Sequence, residues 1–263
     1  MTNEVIEKTL FDLKETICQT MGTPVNKAGW PFIIGFALVS VILAMMSATM
    51  GWIGLILTMW CLYFFRDPIR AVPLQKSLIL SPADGRVTAI AESVNLPREL
   101  RPSNGPSLAM TDTDDVVGQE DDGDYTRVSV FLSVFDVHVN RVPVSGVIRK
   151  IVYKPGLFLN AGNERASMEN ERCAILLDTP DAKTIAFVQI AGLIARRIIC
   201  DAKEGDDVSG GERYGLIRFG SRMDIYIPKD VAIQVAIGQR VLGGETVLAD
   251  LNITGPFREV QPI

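Results

Sequence analysis

The chain has 263 residues, which leaves room for a membrane anchor and one domain of about 150–200 residues with a full core. Its net charge of −5 excludes the basic surface by which proteins hold nucleic acid. A single histidine excludes the usual multi-histidine metal sites. The four dispersed cysteines (Cys18, Cys61, Cys173, Cys200) lack a C-x-x-C spacing, which fits reduced cytoplasmic thiols and neither a disulfide frame nor a zinc site.

Residues 1–28 are polar, with Val5, Leu10, Leu13 and Ile17 at helix-like spacing. No short apolar run follows a basic start with a small-residue cleavage site, so the segment does not read as a signal peptide. From Gly29 to Phe65 there is no charged residue, a run of 37. One spanning helix needs about 20 apolar residues, so this run suits two spans better than one. We expect a transmembrane helical hairpin over 29–66, with arms at roughly 30–48 and 52–65 and a turn at Met50-Gly51. Lys27 before the run and Arg66 and Arg70 after it place both ends in the cytoplasm by the positive-inside bias. Trp60, Tyr63, Phe64 and Phe65 suit the membrane interface. A single tilted span and a buried helix pair are the alternatives.

Arg66-Asp67-Pro68 closes the apolar segment, because proline stops a helix. Leu78-Ile79-Leu80 and Val87–Ile90 then read as strands around the turn Ser81-Pro-Ala-Asp-Gly85. Residues 92–126 show no periodicity, and seven acidic residues crowd between Asp112 and Asp124. They read as a surface loop at about 95–126, and their spacing does not match a calcium loop. Apolar residues Val128, Val130, Leu132 and Val134 alternate along a strand expected over 127–137, which delivers His138. A lone histidine at a strand end is structural or catalytic, and this is the one side chain whose ordinary pKa lies near neutrality. Further strands are expected at 146–154, 174–177, 184–191 and 194–200. Asn170-Glu171-Arg172 lies in the irregular stretch before 174. Gly238-Gln-Arg-Val241 and Gly243-Gly-Glu-Thr-Val247 look like the glycine turns of a β-hammerhead in biotinyl and lipoyl carriers, without their hairpin lysine. Short strands between turns, with no long helix after residue 66, predict a mainly β sandwich over 67–263.

One stretch invites a chemical reading. Tyr214–Asp224 contains Gly220-Ser221 between two apolar strands. Such a dipeptide is a tight turn, or it is a site where the serine hydroxyl attacks the preceding carbonyl. Glycine there leaves the approach unblocked and tolerates unusual backbone angles. An N-to-O acyl shift followed by β-elimination would then cut the chain and leave a pyruvoyl N-terminus.

Arg218-Phe-Gly-Ser221, together with Phe64-Phe-Arg-Asp-Pro68, Ser81-Pro-Ala-Asp-Gly85 and His138-Val-Asn-Arg141 in that order, resembles the phosphatidylserine decarboxylase proenzyme family, in its short, compact branch. The resemblance covers about residues 60–255. It implies self-cleavage between Gly220 and Ser221, a pyruvoyl cofactor made from Ser221 with no metal, and decarboxylation of phosphatidylserine to phosphatidylethanolamine. It carries the proton donor to His138 and support of the cleavage base to Asp84. It departs from the family's long branch at Arg141, which stands where that branch has a second histidine, so the identity of the cleavage base stays open. It also implies two associated cleavage chains, compatible with a homo-oligomer, at the cytoplasmic side of the cell's inner membrane. Arg141 and Arg222 are, on charge, candidates to hold phosphate or carboxylate. Two rivals are a pyruvoyl decarboxylase of a soluble amino acid and a membrane-anchored, carrier-like adaptor without chemistry.

Overall fold

The computed structural model describes residues 24–101, 123–159, 169–193, 197–218 and 220–255. The helix-like spacing up to Ile17, most of the acidic cluster and the Asn160–Asn163 stretch lie outside these residues. The chain divides into two units, Met1–Ile69 and Arg70–Ile263, each described by itself.

In the first unit, α1 (Trp30–Met46) and α2 (Ala48–Phe64) lie side by side and antiparallel. Their ends are tied by the Asn26 N–H, which donates to the Phe65 carbonyl at 2.9 Å, and the Asp67 N–H, which donates to the Pro24 carbonyl at 2.7 Å. With the 3₁₀ turn Lys27–Gly29, α1 forms a 20-residue helix long and apolar enough to cross a membrane; α2, at 17 residues, is shorter. The break falls at Ser47, in extended conformation, rather than at Met50-Gly51. The glycines of α2 serve contact instead of turning. A Cβ on Gly51 would sit 2.7 Å from that of Ala44, and one on Gly54 would sit 2.7 Å from Ser40 Oγ. Ser40 Oγ and Thr58 Oγ1 share a 3.0 Å hydrogen bond between the helices. Small residues and hydroxyls at the seam are how helices pack where no water drives them together.

The second unit is built from β1 (Leu78–Leu80), β2 (Gly85–Val94), β3 (Tyr125–Leu132), β4 (Val139–Arg141), β5 (Gly146–Lys154), β6 (Arg172–Asp178), β7 (Thr184–Ala191), β8 (Ile198–Cys200), β9 (Asp207–Val208), β10 (Arg213–Ile217), β11 (Ser221–Pro228), β12 (Val231–Ile233), β13 (Arg240–Val241) and β14 (Val247–Thr254). A curled eight-stranded sheet runs β13-β2-β3-β11-β7-β6-β5-β9, and two three-stranded sheets run β1-β14-β12 and β4-β10-β8. Period-two alternation sends Met223, Ile225 and Ile227 of β11 into the main core with Phe187, Ile175 and Val130. The intervening Tyr226 joins Ala174, Leu176, Val188, Ile190 and Leu100 in a second apolar cluster. Central strands are therefore covered on both faces.

Two further expectations change. The strand expected over 127–137 stops at Leu132. The Asp136 carboxylate accepts from the Ser133 N–H (2.8 Å) and hydroxyl (2.7 Å), and this side-chain turn breaks the ladder. The stretch before 102 is not wholly irregular: β2 continues to Val94, and a 3₁₀ turn at Arg98–Leu100 buries Leu100.

Candidate active site

Ser221 opens β11 in the middle of the large sheet, paired with Leu132 on β3 and Ala191 on β7. It is fully buried, and among the described residues its Oγ has no hydrogen-bond partner. A buried hydroxyl left unbonded is costly, so such an atom calls for an explanation. Gly220 before it has φ +69°, the left-handed region that favours glycine, and a Cβ there would meet nothing within 4 Å.

His138 lies between the Ser133–Asp136 turn and β4, fully buried. The Gly220 N–H donates to its Nε2 at 3.1 Å. Its Nδ1 lies 2.9 Å from the Asp136 carbonyl. A backbone N–H can only donate, so Nε2 carries the lone pair and Nδ1 the proton, which it gives to Asp136. The neutral ring is thus held with its basic nitrogen one residue from the Gly220–Ser221 peptide. Asp136, unremarked in the sequence, is the group that aims it; Ser133-x-x-Asp136 is the local signal that could have found it.

Asp84 is near this end of the sheet, on the far side of β3. Arg86, Phe131 and Arg222 form one rung across β2, β3 and β11, and strands are about 4.8 Å apart, which puts β2 about 10 Å from β11. The Asp84 carboxylate accepts from Arg70 Nη2 at 2.7 Å and from the Gly243 N–H at 2.8 Å. Burial raises its pKa above the ordinary carboxylate range. The Arg70 charge, the Gly243 N–H and the Arg70 hydrogen bond pull it back, and Asp136 adds to the rise. The Asp84 turn is also clamped to β4, because the Arg141 N–H donates to the Pro82 carbonyl at 2.8 Å.

The two arginines singled out by charge are both buried. Arg141 donates through Nη1 to the Gly211 carbonyl at 2.9 Å. Arg222 follows Ser221 in the strand and so faces the other side of the sheet, where Nε and Nη2 form a two-pronged pair with Asp224, each at 2.8 Å. The Asn-Glu-Arg run shores up the strand end opposite Ser221: Asn170 Nδ2 donates to the Ala191 carbonyl at 2.7 Å, and Arg172 pairs with Glu99.

Two amides that sequence reasoning passed over lie on the Ser221 side. Gln189 is opposite Met223, two residues along β7 from Ala191. Its Nε2 donates to Asn140 Oδ1 at 2.9 Å and to the Ile199 carbonyl at 3.2 Å. Asn140 is two residues beyond His138. Nothing in the local sequence signals their meeting, which strand order alone produces.

These residues fit the making of a pyruvoyl group from Ser221. The hydroxyl is unbonded, the residue before it is an unobstructed glycine in the left-handed region, and a basic imidazole nitrogen is within hydrogen-bond reach of that glycine.

Comparison with known proteins points the same way. A family model described as phosphatidylserine decarboxylase matches residues 57–249. The phosphatidylserine decarboxylase proenzyme of Paramagnetospirillum magneticum is 47% identical over 236 residues, covering 90% of this chain and 90% of that protein. The chain belongs to the phosphatidylserine decarboxylase family.

Proposed function

We propose that the chain cuts itself between Gly220 and Ser221 and, once cut, decarboxylates phosphatidylserine to phosphatidylethanolamine at the cytoplasmic face of the inner membrane. The observation that carries this reading is the hydrogen bond from the Gly220 N–H to His138 Nε2 beside the unbonded Ser221 hydroxyl.

In the cut, Ser221 Oγ bonds to the Gly220 carbonyl carbon and the peptide C–N bond breaks, giving an ester and a free amine. Abstraction of the Ser221 α-proton breaks the Cβ–Oγ bond and leaves Gly220 as a carboxylate. Water then replaces the nitrogen, which departs as ammonia. His138 Nε2, which accepts from the Gly220 N–H, is the atom we assign to proton transfer, with Asp84 in support. The pyruvoyl group supplies a carbonyl that joins the substrate's primary amine and draws electrons from the bond to the departing carbon dioxide. His138, buried and held by Asp136, takes up a proton from solvent at Nε2 and delivers it to the carbon that has lost carbon dioxide.

The two pieces stay together because β11 is laced between β3 and β7 along its length. The paired apolar helices α1 and α2 serve as a membrane hairpin, which keeps the acyl chains of the substrate in lipid while the headgroup reaches the site. The Gly238 and Gly244 turns, both at positive φ, suit a hammerhead arrangement. Intact-mass measurement tests the reading. The purified protein should hold residues 1–220 and residues 221–263, the latter with a blocked N-terminus, and Ser221→Ala should stay whole. A single uncut chain in active protein would sink it.

A further inference from the structure

Three buried polar atoms on the Ser221 side of the sheet have no hydrogen-bond partner among the described residues: Ser221 Oγ, Asn140 Nδ2 and Gln189 Oε1. Asn140, Gln189 and Ser221 are all fully buried. The first atom is accounted for by the cut. The other two belong to amides already bonded to each other through Gln189 Nε2 and Asn140 Oδ1, so an unpaired donor and an unpaired acceptor are left on neighbouring groups. A flip of both amides would only exchange their roles, leaving Asn140 Oδ1 and Gln189 Nε2 unpaired instead, and would forfeit the bond from Gln189 Nε2 to the Ile199 carbonyl. The backbone is fitted to the arrangement. Gly215, opposite Asn140 on β10, admits the amide: a Cβ there would sit 3.0 Å from Gln189 Nε2 and 2.2 Å from the Ile199 carbonyl oxygen.

Buried polar atoms without partners cost stability, and an apolar pair of the same shape would avoid that cost. A ligand that supplies the missing partners accounts for them. An unpaired N–H donor beside an unpaired carbonyl matches a group that carries a carboxylate and an amine on one carbon. We propose that Asn140 and Gln189 recognise the amino-acid end of the serine headgroup, Asn140 Nδ2 donating to its carboxylate and Gln189 Oε1 accepting from its amine. This rests on the reading of Ser221 given above. The chemistry suits the site. A neutral amide orients the carboxylate without the ionic grip of an arginine, which would stabilise the ground state against loss of carbon dioxide. Arg222, next to Ser221 in sequence, is turned to the other face and held by Asp224, and Arg141, next to Asn140, donates to the Gly211 carbonyl.

The test uses full-length protein in detergent micelles, after intact mass has shown that each variant is cut. Asn140→Asp keeps an oxygen for Gln189 Nε2 and removes the donor; Asn140→Leu removes both. Each should raise KM for phosphatidylserine about tenfold or more, the effect of losing one hydrogen bond to a charged group. Trapping of the product on the short chain gives a second readout. Phosphatidylethanolamine has the amine without the carboxylate, and cyanoborohydride links it covalently to the short chain, read by mass. Its half-trapping concentration should not change in either Asn140 variant. Gln189→Met should weaken both lipids. An unchanged KM, or equal weakening of both lipids by the Asn140 variants, overturns the proposal. So does a failure of those variants to cut themselves when the parent protein does, which would assign the pair to cleavage. A parent protein that stays uncut would instead overturn the reading of Ser221.

Discussion

Gly220 gives its backbone N–H to Nε2 of His138, the nitrogen we propose as the base. On that reading the imidazole both holds the Gly220 N–H and serves the peptide next to it. His138→Gln separates these roles. A glutamine carbonyl can accept from the Gly220 N–H, but it cannot take a proton. The variant should fold with an unchanged melting temperature and cut itself about 10²–10⁴-fold more slowly, the usual worth of a positioned acid–base group. Time courses by intact mass give the rate. Cutting at the parent rate would remove His138 from the step.

Gly220 itself is tested by what can occupy φ +69°. Because a Cβ would touch nothing within 4 Å, the penalty is backbone strain alone. An ordinary L-residue pays ~1–2 kcal/mol in that region, asparagine less, and a β-branched residue more. Self-cleavage should therefore fall in the order Gly, Asn, Ala, Val. An order set by side-chain volume instead would mean that space, not conformation, is limiting.

The Asp84–Arg70 pair makes a prediction about pH. Burial holds the folded Asp84 pKa above its unfolded value, so the folded state binds this proton more tightly. The associated stability is present below the unfolded pKa and is lost as pH rises through the folded one. Arg70→Met removes the charge and the hydrogen bond that oppose the rise. The pKa should climb further, the loss of stability should extend to higher pH, and the acid limb of self-cleavage should shift in the alkaline direction. Asp84→Asn should abolish that stability slope. Melting curves from pH 4 to 8 and cleavage rates over the same range decide it, and a limb unmoved by Arg70→Met would detach Asp84 from the cut.

Much of this was legible in the sequence because it is local. Alternation marked β3 through Leu132, and a charge-free run marked the paired helices. The Gly-Ser dipeptide marked the left-handed glycine ahead of β11. What stayed hidden is non-local. Asn140 meets Gln189 only because the sheet that holds β4 lies against β7 of another through β10 and β8. The Ser47 break was missed because glycines in α2 looked like a turn, although their lack of side chains serves helix contact. The placement of Arg222 was readable and was not used: neighbours in a strand face opposite ways, so the residue after Ser221 could not share its side.

That alternation supplies the last prediction. Arg222 and Asp224 are i and i+2 on one strand, 4% and 0% exposed, and bonded twice. Substrate recognition by Arg222 would make KM rise in Arg222→Ala. Its position predicts a different outcome. Removing the guanidinium takes two hydrogen bonds and their positive charge away from a fully buried carboxylate, which destabilises by about 3–5 kcal/mol. Replacing both partners with apolar residues, Arg222→Met with Asp224→Leu, removes the buried carboxylate as well and should restore most of that loss. The melting temperature should drop sharply in the single variant and recover in the double, while KM for phosphatidylserine in whatever folds stays at the parent value. A raised KM in the stable double variant would return Arg222 to the headgroup.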